Sequence, residues 1–241
     1  MIPFRPEGTP ARFPLVTLLL LAACVAGYAW QVHEDDGGAR TTALALVPAE
    51  LTQQPLEPFE VELGGRTFHP PELATLLSHA FLHASLLHLL GNMVYLWAFG
   101  GAAEAAVGSL RFAVLYLLWG AAAALGQVIA DPASPVPMVG ASGAISGVLG
   151  AFIVFYPLAR VRSLFFVWVF PAVIRLPSVI FIGVWVGMQI LYARNPDLGP
   201  QNVAYWAHLA GFGAGLVSAL VLRITGRRRP DAQSSSKRRT T

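Results

Sequence analysis

The sequence predicts an all-α membrane protein with six transmembrane helices, because of its composition, its long uncharged segments and the distribution of its arginines. Hydrophobic residues make up 55% of the 241 residues and charged residues only 12%. This balance excludes ordinary water-soluble domains, in which charged residues are about 25% of the chain. Cys24 is the only cysteine, so we expect neither an intramolecular disulfide nor a thiolate metal site.

Six windows contain no Asp, Glu, Lys or Arg and are long enough to be membrane spans. Each holds about 18 residues or more, which at roughly 1.5 Å per residue crosses a hydrocarbon core about 30 Å thick. The windows are residues 13–33, 79–103, 112–130, 132–159, 176–193 and 198–222. A seventh run, residues 163–174, is too short to span. It contains Pro171, which favours an interfacial or re-entrant segment.

The distribution of basic residues predicts that both chain ends lie in the cytoplasm. Short segments rich in lysine and arginine stay on that side of a membrane. Residues 223–241 carry seven basic side chains and one acidic one, whereas residues 31–78 carry eight acidic side chains and two basic ones. The predicted organisation is a cytoplasmic segment 1–12, a membrane domain 13–222 with an external loop 31–78, and a basic, disordered cytoplasmic tail 223–241. The tail's serines and threonines favour contact with lipid over binding of nucleic acid.

Polar side chains on three windows are expected to reach one layer near the outer surface. With this topology the second, fourth and sixth windows all enter the membrane from outside. Ser142 and His208 then lie at similar depths, on the order of 6 to 8 Å below the outer edge. His88 and Asn92 are four residues apart, so they share one face of a helix. Because polar and ionisable groups are costly in hydrocarbon, their convergence indicates a functional site.

This layer contains the groups that acyl transfer requires. A serine hydroxyl becomes a nucleophile when a base such as a neutral imidazole removes its proton. Asn92, His88 and the backbone N–H of Ser142 are candidate donors to the oxyanion. No acidic residue occurs at this depth on the three windows. The site is therefore predicted to be a dyad, in which packing or a neutral acceptor orients His208.

These residues resemble the rhomboid family of intramembrane serine proteases over roughly residues 79–222. The resemblance rests on three motifs, which agree with the family in order and spacing: Gly140-Ala141-Ser142-Gly143; Ala207-His208 followed by Gly211 and Gly215; and His83, His88 and Asn92. It implies a six-helix rhomboid-like bundle with cytoplasmic termini. It also implies a serine endopeptidase that cuts transmembrane segments of other membrane proteins near the outer face.

The resemblance also implies a role for each matching residue. Ser142 would be the nucleophile, and His208 would be the general base and then the general acid. His88, Asn92 and Gly140 would form the oxyanion side of the site, supported by His79 and His83. Glu104 resembles the family's buried carboxylate that ties a loop end. No metal or cofactor is implied, and the expected location is the plasma membrane of a bacterium, with the site open to the outside.

Three features, at four positions, depart from the family's pattern. Ala74 and Thr75 stand where many members have a Trp-Arg pair. Ser146 stands where some relatives place an aromatic residue against the catalytic histidine, and Asn202 stands where a glycine is common. These differences concern how the loop is anchored and how His208 is held.

Other readings of the same residues remain open. Gly211 and Gly215 form a GxxxG pair, which predicts close packing of the sixth span against the fourth. A non-catalytic rhomboid-like protein that binds transmembrane clients is the main alternative, although such proteins usually lack the serine or the histidine. A small transporter is less favoured, because no inverted repeat is visible. A metal hydrolase built on His79, His83 and His88 is also less favoured, because there is no HExxH pattern.

Overall fold

The chain is predominantly helical over the residues that the structure describes. A computed structural model describes residues 2–4, 6–10, 12–33, 39–52, 61–63, 66–68, 72–167 and 170–226. The α-helices are α1 (Leu15–His33), α2 (Ala39–Leu44), α3 (Pro48–Thr52), α4 (Thr75–Ser78), α5 (Leu86–Val107), α6 (Ser109–Ala130), α7 (Ser142–Phe155), α8 (Ser178–Arg194) and α9 (Tyr205–Ile224). The strands are β1 (Ile2–Pro3), β2 (Val61–Leu63), β3 (Arg66–Phe68), β4 (Arg160–Val167) and β5 (Phe170–Pro177). Single 3₁₀ turns cover Glu72–Ala74, His79–Phe81 and Pro196–Leu198.

Six apolar helices correspond to the six uncharged windows, but they differ in length. In the described part of the chain, four of them, α1, α5, α6 and α9, are long and apolar enough to cross a membrane. Helix α7 has 14 residues and α8 has 17. Prolines explain why α7 is shorter than its window: three of them precede it and Pro157 follows its end, and proline lacks the N–H that a helix interior needs. A count of six spanning helices therefore stays a prediction.

Helix α7 is the central element of the bundle. It packs against α5, α6 and α9, and nearly all of its residues from Gly143 to Phe152 are buried. Phe152 meets Phe99 of α5 edge to face with ring centroids 5.0 Å apart, and Phe99 stacks on Phe181 of α8 at 6.0 Å. This aromatic cluster fixes the C-terminal half of α7. The first turn of α7, at its N-terminal end, is thereby held in place.

The short run predicted to be interfacial or re-entrant is part of a β-hairpin. Strands β4 and β5 pair antiparallel from Arg160 opposite Pro177 to Val167 opposite Phe170, and β1 adds to β4. Valine, isoleucine and phenylalanine dominate the hairpin, and these residues favour strands. An open sheet edge has unpaired backbone groups, which hydrocarbon does not tolerate. The hairpin therefore belongs outside the hydrocarbon region.

The predicted external loop packs on the connection between α6 and α7. Leu46 and Met138 exchange two backbone hydrogen bonds, of 3.1 and 2.7 Å, and the Ala49 N–H donates to the Ser134 carbonyl. Ala45, Leu46 and Val47 are buried. This part of the loop thus has a fixed place beside the segment that leads into α7. Several of the acidic residues used for the orientation, at positions 34–36, 57 and 60, and the tail from residue 227 lie outside the described residues.

Glu104 of α5 is buried against the start of α1. Its carboxylate accepts hydrogen bonds from the Val16 and Thr17 backbone N–H groups at 3.1 and 2.9 Å, and from the Thr17 hydroxyl at 2.8 Å. It also accepts from the Ser109 hydroxyl at 2.7 Å, at the start of α6. A helix N-terminus has unpaired N–H groups and a partial positive charge, which a carboxylate stabilises. Glu104 therefore joins α5, α1 and α6.

Candidate active site

Ser142 and His208 form a direct hydrogen bond. The distance between Ser142 Oγ and His208 Nε2 is 2.8 Å. Ser142 is the first residue of α7, and His208 lies on the first turn of α9. Both side chains are partly exposed, so a substrate can reach them. A hydroxyl in contact with an imidazole nitrogen is the geometry that proton transfer requires.

Two glycines of α9 allow the close approach that brings His208 to Ser142. A Cβ added at Gly211 would collide with the backbone carbonyl of Gly143, and one added at Gly215 would collide with that of Gly147. The two helix backbones are therefore in direct contact, as small residues permit in membrane proteins. Because His208 precedes Gly211 by about one turn, it meets the start of α7.

Gly140 forms the turn that leads into α7. Its φ of +122° lies in a backbone region that residues other than glycine rarely adopt. A Cβ there would lie 2.7 Å from His88 Cε1 and 3.4 Å from Asn92 Nδ2, so both side chains of α5 lie directly over this turn. The Gly140 N–H donates to the His79 carbonyl at 2.9 Å. The turn is thus held by the two α5 side chains and by the backbone hydrogen bond to His79.

The start of α7 and the side chain of Asn92 supply donors to this site. Backbone N–H groups in the first turn of a helix have no acceptor within the helix, and here they belong to Ser142 and the residues after it. Asn92 is 7% exposed, and its Nδ2 has no hydrogen-bond partner among the described residues. Asn92 and Ser142 line the same cavity, so these donors are candidates for stabilising the negative charge that develops in acyl transfer.

His79 and His83 lie in the segment before α5 rather than on it. His79 is buried and its Nδ1 is 2.8 Å from the Thr75 carbonyl. A carbonyl oxygen only accepts hydrogen bonds, so His79 Nδ1 carries the proton and donates this bond. His83 packs edge to face on His88 with ring centroids 5.3 Å apart. Among the described residues, no three His, Cys, Asp or Glu side chains are grouped so as to hold a metal ion.

The second ring nitrogen of His208 contacts a residue that the sequence did not single out. His208 Nδ1 lies 2.7 Å from Gln189 Oε1 on α8. Gln189 is 7% exposed. A polar residue in an otherwise apolar window was the available signal, since such residues are costly in hydrocarbon. The amide is a neutral acceptor, which is one of the two means of orientation expected from the sequence.

Ser146 is not in contact with the imidazole in the way its position suggested. Its hydroxyl donates to the Ser142 carbonyl at 2.6 Å, within α7. The aromatic neighbours of His208 come from other helices: Trp185 of α8, with ring centroids 5.9 Å apart, and Tyr205 of α9, at 6.4 Å. Packing around His208 is therefore supplied from α8 and α9.

A cavity of about 1010 Å³ opens onto this site. Its lining includes His88, Asn92, Ser142 and His208. The connection before α7 and residues 200–204 before α9 also line it. The cavity gives an extended peptide and water room to reach the serine. An apolar helical bundle with an accessible Ser–His pair defines the general class, an integral membrane protein with a candidate hydrolytic site.

Comparison with known proteins identifies the family. The Rhomboid domain family matches residues 70–225. The chain is 44% identical over 78 residues to rhomboid protease GluP of Bacillus subtilis, which covers 32% of the chain and 15% of that protein. It is 28% identical over 159 residues to rhomboid protease GlpG of Klebsiella pneumoniae, covering 63% and 49%. It is 32% identical over 150 residues to the mitochondrial rhomboid protein 1 of Saccharomyces cerevisiae, covering 59% and 40%.

The chain belongs to the rhomboid family. It is an integral, multi-pass membrane protein from a family that includes intramembrane proteases. The matches span about half or less of the length of these three relatives.

Proposed function

We propose that this protein is a serine endopeptidase that cleaves transmembrane segments of other membrane proteins near the outer face of the membrane. The hydrogen bond between Ser142 Oγ and His208 Nε2 is the observation that carries this proposal. Asn92 Nδ2, which has no hydrogen-bond partner in the part of the chain that the structure describes, supports the same proposal. Two of the relatives are themselves named rhomboid proteases.

The proposed reaction proceeds through an acyl-enzyme. His208 Nε2 accepts the hydroxyl proton as Ser142 Oγ attacks the scissile carbonyl carbon, and the carbonyl oxygen becomes an oxyanion. Asn92 Nδ2, the Ser142 N–H and His88 donate hydrogen bonds to this oxyanion. The imidazolium then gives its proton to the leaving amine, and the C–N bond breaks. Water activated by His208 hydrolyses the ester, and the proton returns to Ser142 Oγ.

The proposed topology has six spans with both chain ends in the cytoplasm. Ser142 and His208 lie at the first residue of α7 and on the first turn of α9. The basic residues after α9 support a cytoplasmic end there, which makes the starts of α7 and α9 external. We retain segment 1–12, membrane domain 13–222 with external loop 31–78, and tail 223–241 as the proposed organisation. The relatives include a mitochondrial protein, so they do not favour a bacterial plasma membrane.

The proposed substrates are transmembrane proteins whose helix unwinds near its outer end. A carbonyl inside a helix is already hydrogen-bonded and is shielded in lipid, because hydrocarbon offers no other donor. Segments containing small or helix-weakening residues therefore reach Ser142 more readily. Water is the only other reactant, and it enters through the cavity from the external side.

The test is a cleavage assay on the purified protein in liposomes with a generic transmembrane substrate. Ser142→Ala and His208→Ala should each abolish cleavage. Ser218→Ala and His33→Ala are the matched controls, since Ser218 bonds Trp119 and His33 is exposed at the end of α1. Both controls should cleave at the wild-type rate. If wild type and the two site variants behave alike while the substrate still binds, the protein is a non-catalytic client-binding protein and the proposal fails.

A further inference from the structure

We propose that Gln189 is a positioning residue that sets the tautomer of His208, an inference that rests on the proposed serine protease function. Gln189 Oε1 lies 2.7 Å from His208 Nδ1, on the side of the ring opposite Ser142. The Ser142–His208 pair then has a third member, supplied by α8.

The donor and acceptor chemistry determines which nitrogen is protonated. An amide oxygen only accepts hydrogen bonds, so its partner Nδ1 carries the proton. In a neutral imidazole the other nitrogen, Nε2, is then the acceptor. Nε2 faces Ser142 Oγ at 2.8 Å. This tautomer is the one in which His208 removes the serine proton, and the opposite tautomer has no free electron pair at Nε2.

The position of Gln189 on α8 makes the contact specific to this ring. Trp185 lies four residues before Gln189, so both side chains lie on one face of α8. Trp185 packs on the His208 ring at 5.9 Å. The two contacts constrain the ring differently: the Trp185 ring, inclined at 38° to the imidazole, limits its tilt, and the hydrogen bond fixes its rotation within its own plane.

A neutral amide suits this depth better than a carboxylate. A carboxylate taken out of water carries a large desolvation penalty, whereas an amide with a hydrogen-bond partner carries a small one. Among the described residues, the one buried acidic side chain is Glu104, and its partners are Val16, Thr17 and Ser109. Gln189 therefore orients His208 without bringing a charge into the apolar bundle.

The test measures both the tautomer of His208 and the kinetic constants in the same set of variants. Selective ¹⁵N-histidine labelling in detergent micelles should show His208 with Nδ1 protonated and Nε2 bare. Gln189→Leu should give a mixture of tautomers and lower kcat by about 10- to 100-fold, the effect typical of losing a group that orients a functional histidine. KM should change less than kcat, because the substrate does not contact Gln189 in the proposed mechanism.

Two further variants separate positioning from general packing. Gln189→Glu keeps an acceptor oxygen at the same reach and should keep one tautomer and most of kcat, while the desolvation penalty of the carboxyl group lowers the unfolding transition. Met188→Leu changes the adjacent residue of α8, which is 37% exposed, and should leave both measurements at wild-type values.

The outcomes distinguish failure of this inference from failure of the proposed function. If wild type cleaves through Ser142 and His208 but Gln189→Leu keeps the wild-type kcat and tautomer, the inference is overturned and the protease proposal stands. If no cleavage occurs in wild type, the protease proposal fails, and the spectra alone decide the tautomer assignment. A wild-type spectrum with Nε2 protonated overturns the assignment in either case.

Discussion

Helices α8 and α9 carry glycine pairs with the same spacing but pack in opposite ways. On α9, added Cβ atoms at Gly211 and Gly215 would collide with the backbone of α7. On α8, Cβ atoms at Gly183 and Gly187 would meet nothing within 4 Å among the described residues. A GxxxG pair therefore indicates close packing only when a second small-residue surface faces it, as Gly143 and Gly147 do here.

The difference separates a fixed part of the site from a lightly packed one. Ser142 and His208, the proposed nucleophile and base, lie on α7 and α9, whose backbones are in contact. Helix α8 is apolar and exposed along much of its length, with Val184, Ile190 and Leu191 between 41% and 51% exposed, a surface suited to lipid. It reaches the site through Trp185 and Gln189. Helices α7 and α9 thus hold Ser142 and His208 against each other, whereas α8 contacts the ring of His208.

The largest effect is expected at Gly215. Gly215→Ala places a methyl group against the Gly147 carbonyl, which is backbone and cannot move aside. Overpacking of this kind costs at least about 1–3 kcal/mol, and more where backbone must shift. We expect loss of activity and a clearly lower unfolding transition in detergent, followed by circular dichroism. A variant with wild-type stability would show that α7 and α9 are not in close contact.

The next largest effect is expected on catalysis rather than on stability. Asn92→Ala removes a proposed oxyanion donor and should lower kcat by about 10²- to 10³-fold. Its Nδ2 has no partner among the described residues, so the stability should change little. Asn195→Ala is the matched control, because that side chain bonds the Leu191 carbonyl at the exposed end of α8. Steady-state kinetics on both variants tests this; an unchanged kcat for Asn92→Ala removes it from the mechanism.

A smaller effect is expected where α1 joins the bundle. Glu104→Gln replaces an acceptor of four hydrogen bonds with an amide that carries only one oxygen. Leaving buried donors unpaired costs about 1–3 kcal/mol. The unfolding transition should fall accordingly, with kcat near wild type at low temperature. Glu50→Gln on the exposed face of α3 should change neither quantity. Equal transitions for the two variants would mean that Glu104 does not anchor α1.

The smallest effect is expected at Gly187. Gly187→Ala adds a methyl group into open space on α8, so the unfolding free energy should change by no more than about 0.5 kcal/mol. Thermal unfolding alongside Gly215→Ala measures the comparison directly. Similar destabilisation by both substitutions would remove the distinction between the two helices.

The apolar windows predicted which segments become long helices, because a helix in lipid needs an uninterrupted apolar run. They could not predict the hairpin β4–β5. The length of an uncharged run of 12 residues between two arginines does not distinguish a short helix from a strand. Helix α7 also begins ten residues after the start of its window, because the prolines before it keep those residues out of the helix.

The similar depths of Ser142 and His208 in the fourth and sixth windows allowed them to meet, and the hydrogen bond between them agrees with that expectation. The contact of Gln189 with His208 was not predicted, because a single polar residue marks one face of α8 but does not indicate which side chain that face meets. The pairing of Leu46 with Met138 was likewise beyond prediction. It joins two irregular segments far apart in the chain, and neither has a periodic pattern.

The most direct test of the Ser142–His208 pair is covalent labelling by a mechanism-based serine reagent, located by mass spectrometry of the intact protein in detergent. The account predicts one adduct, on Ser142, with a labelling rate at least about 100-fold lower in His208→Ala, since proton removal by the base contributes that much. An adduct absent from Ser142, or formed at the same rate in both proteins, would contradict it.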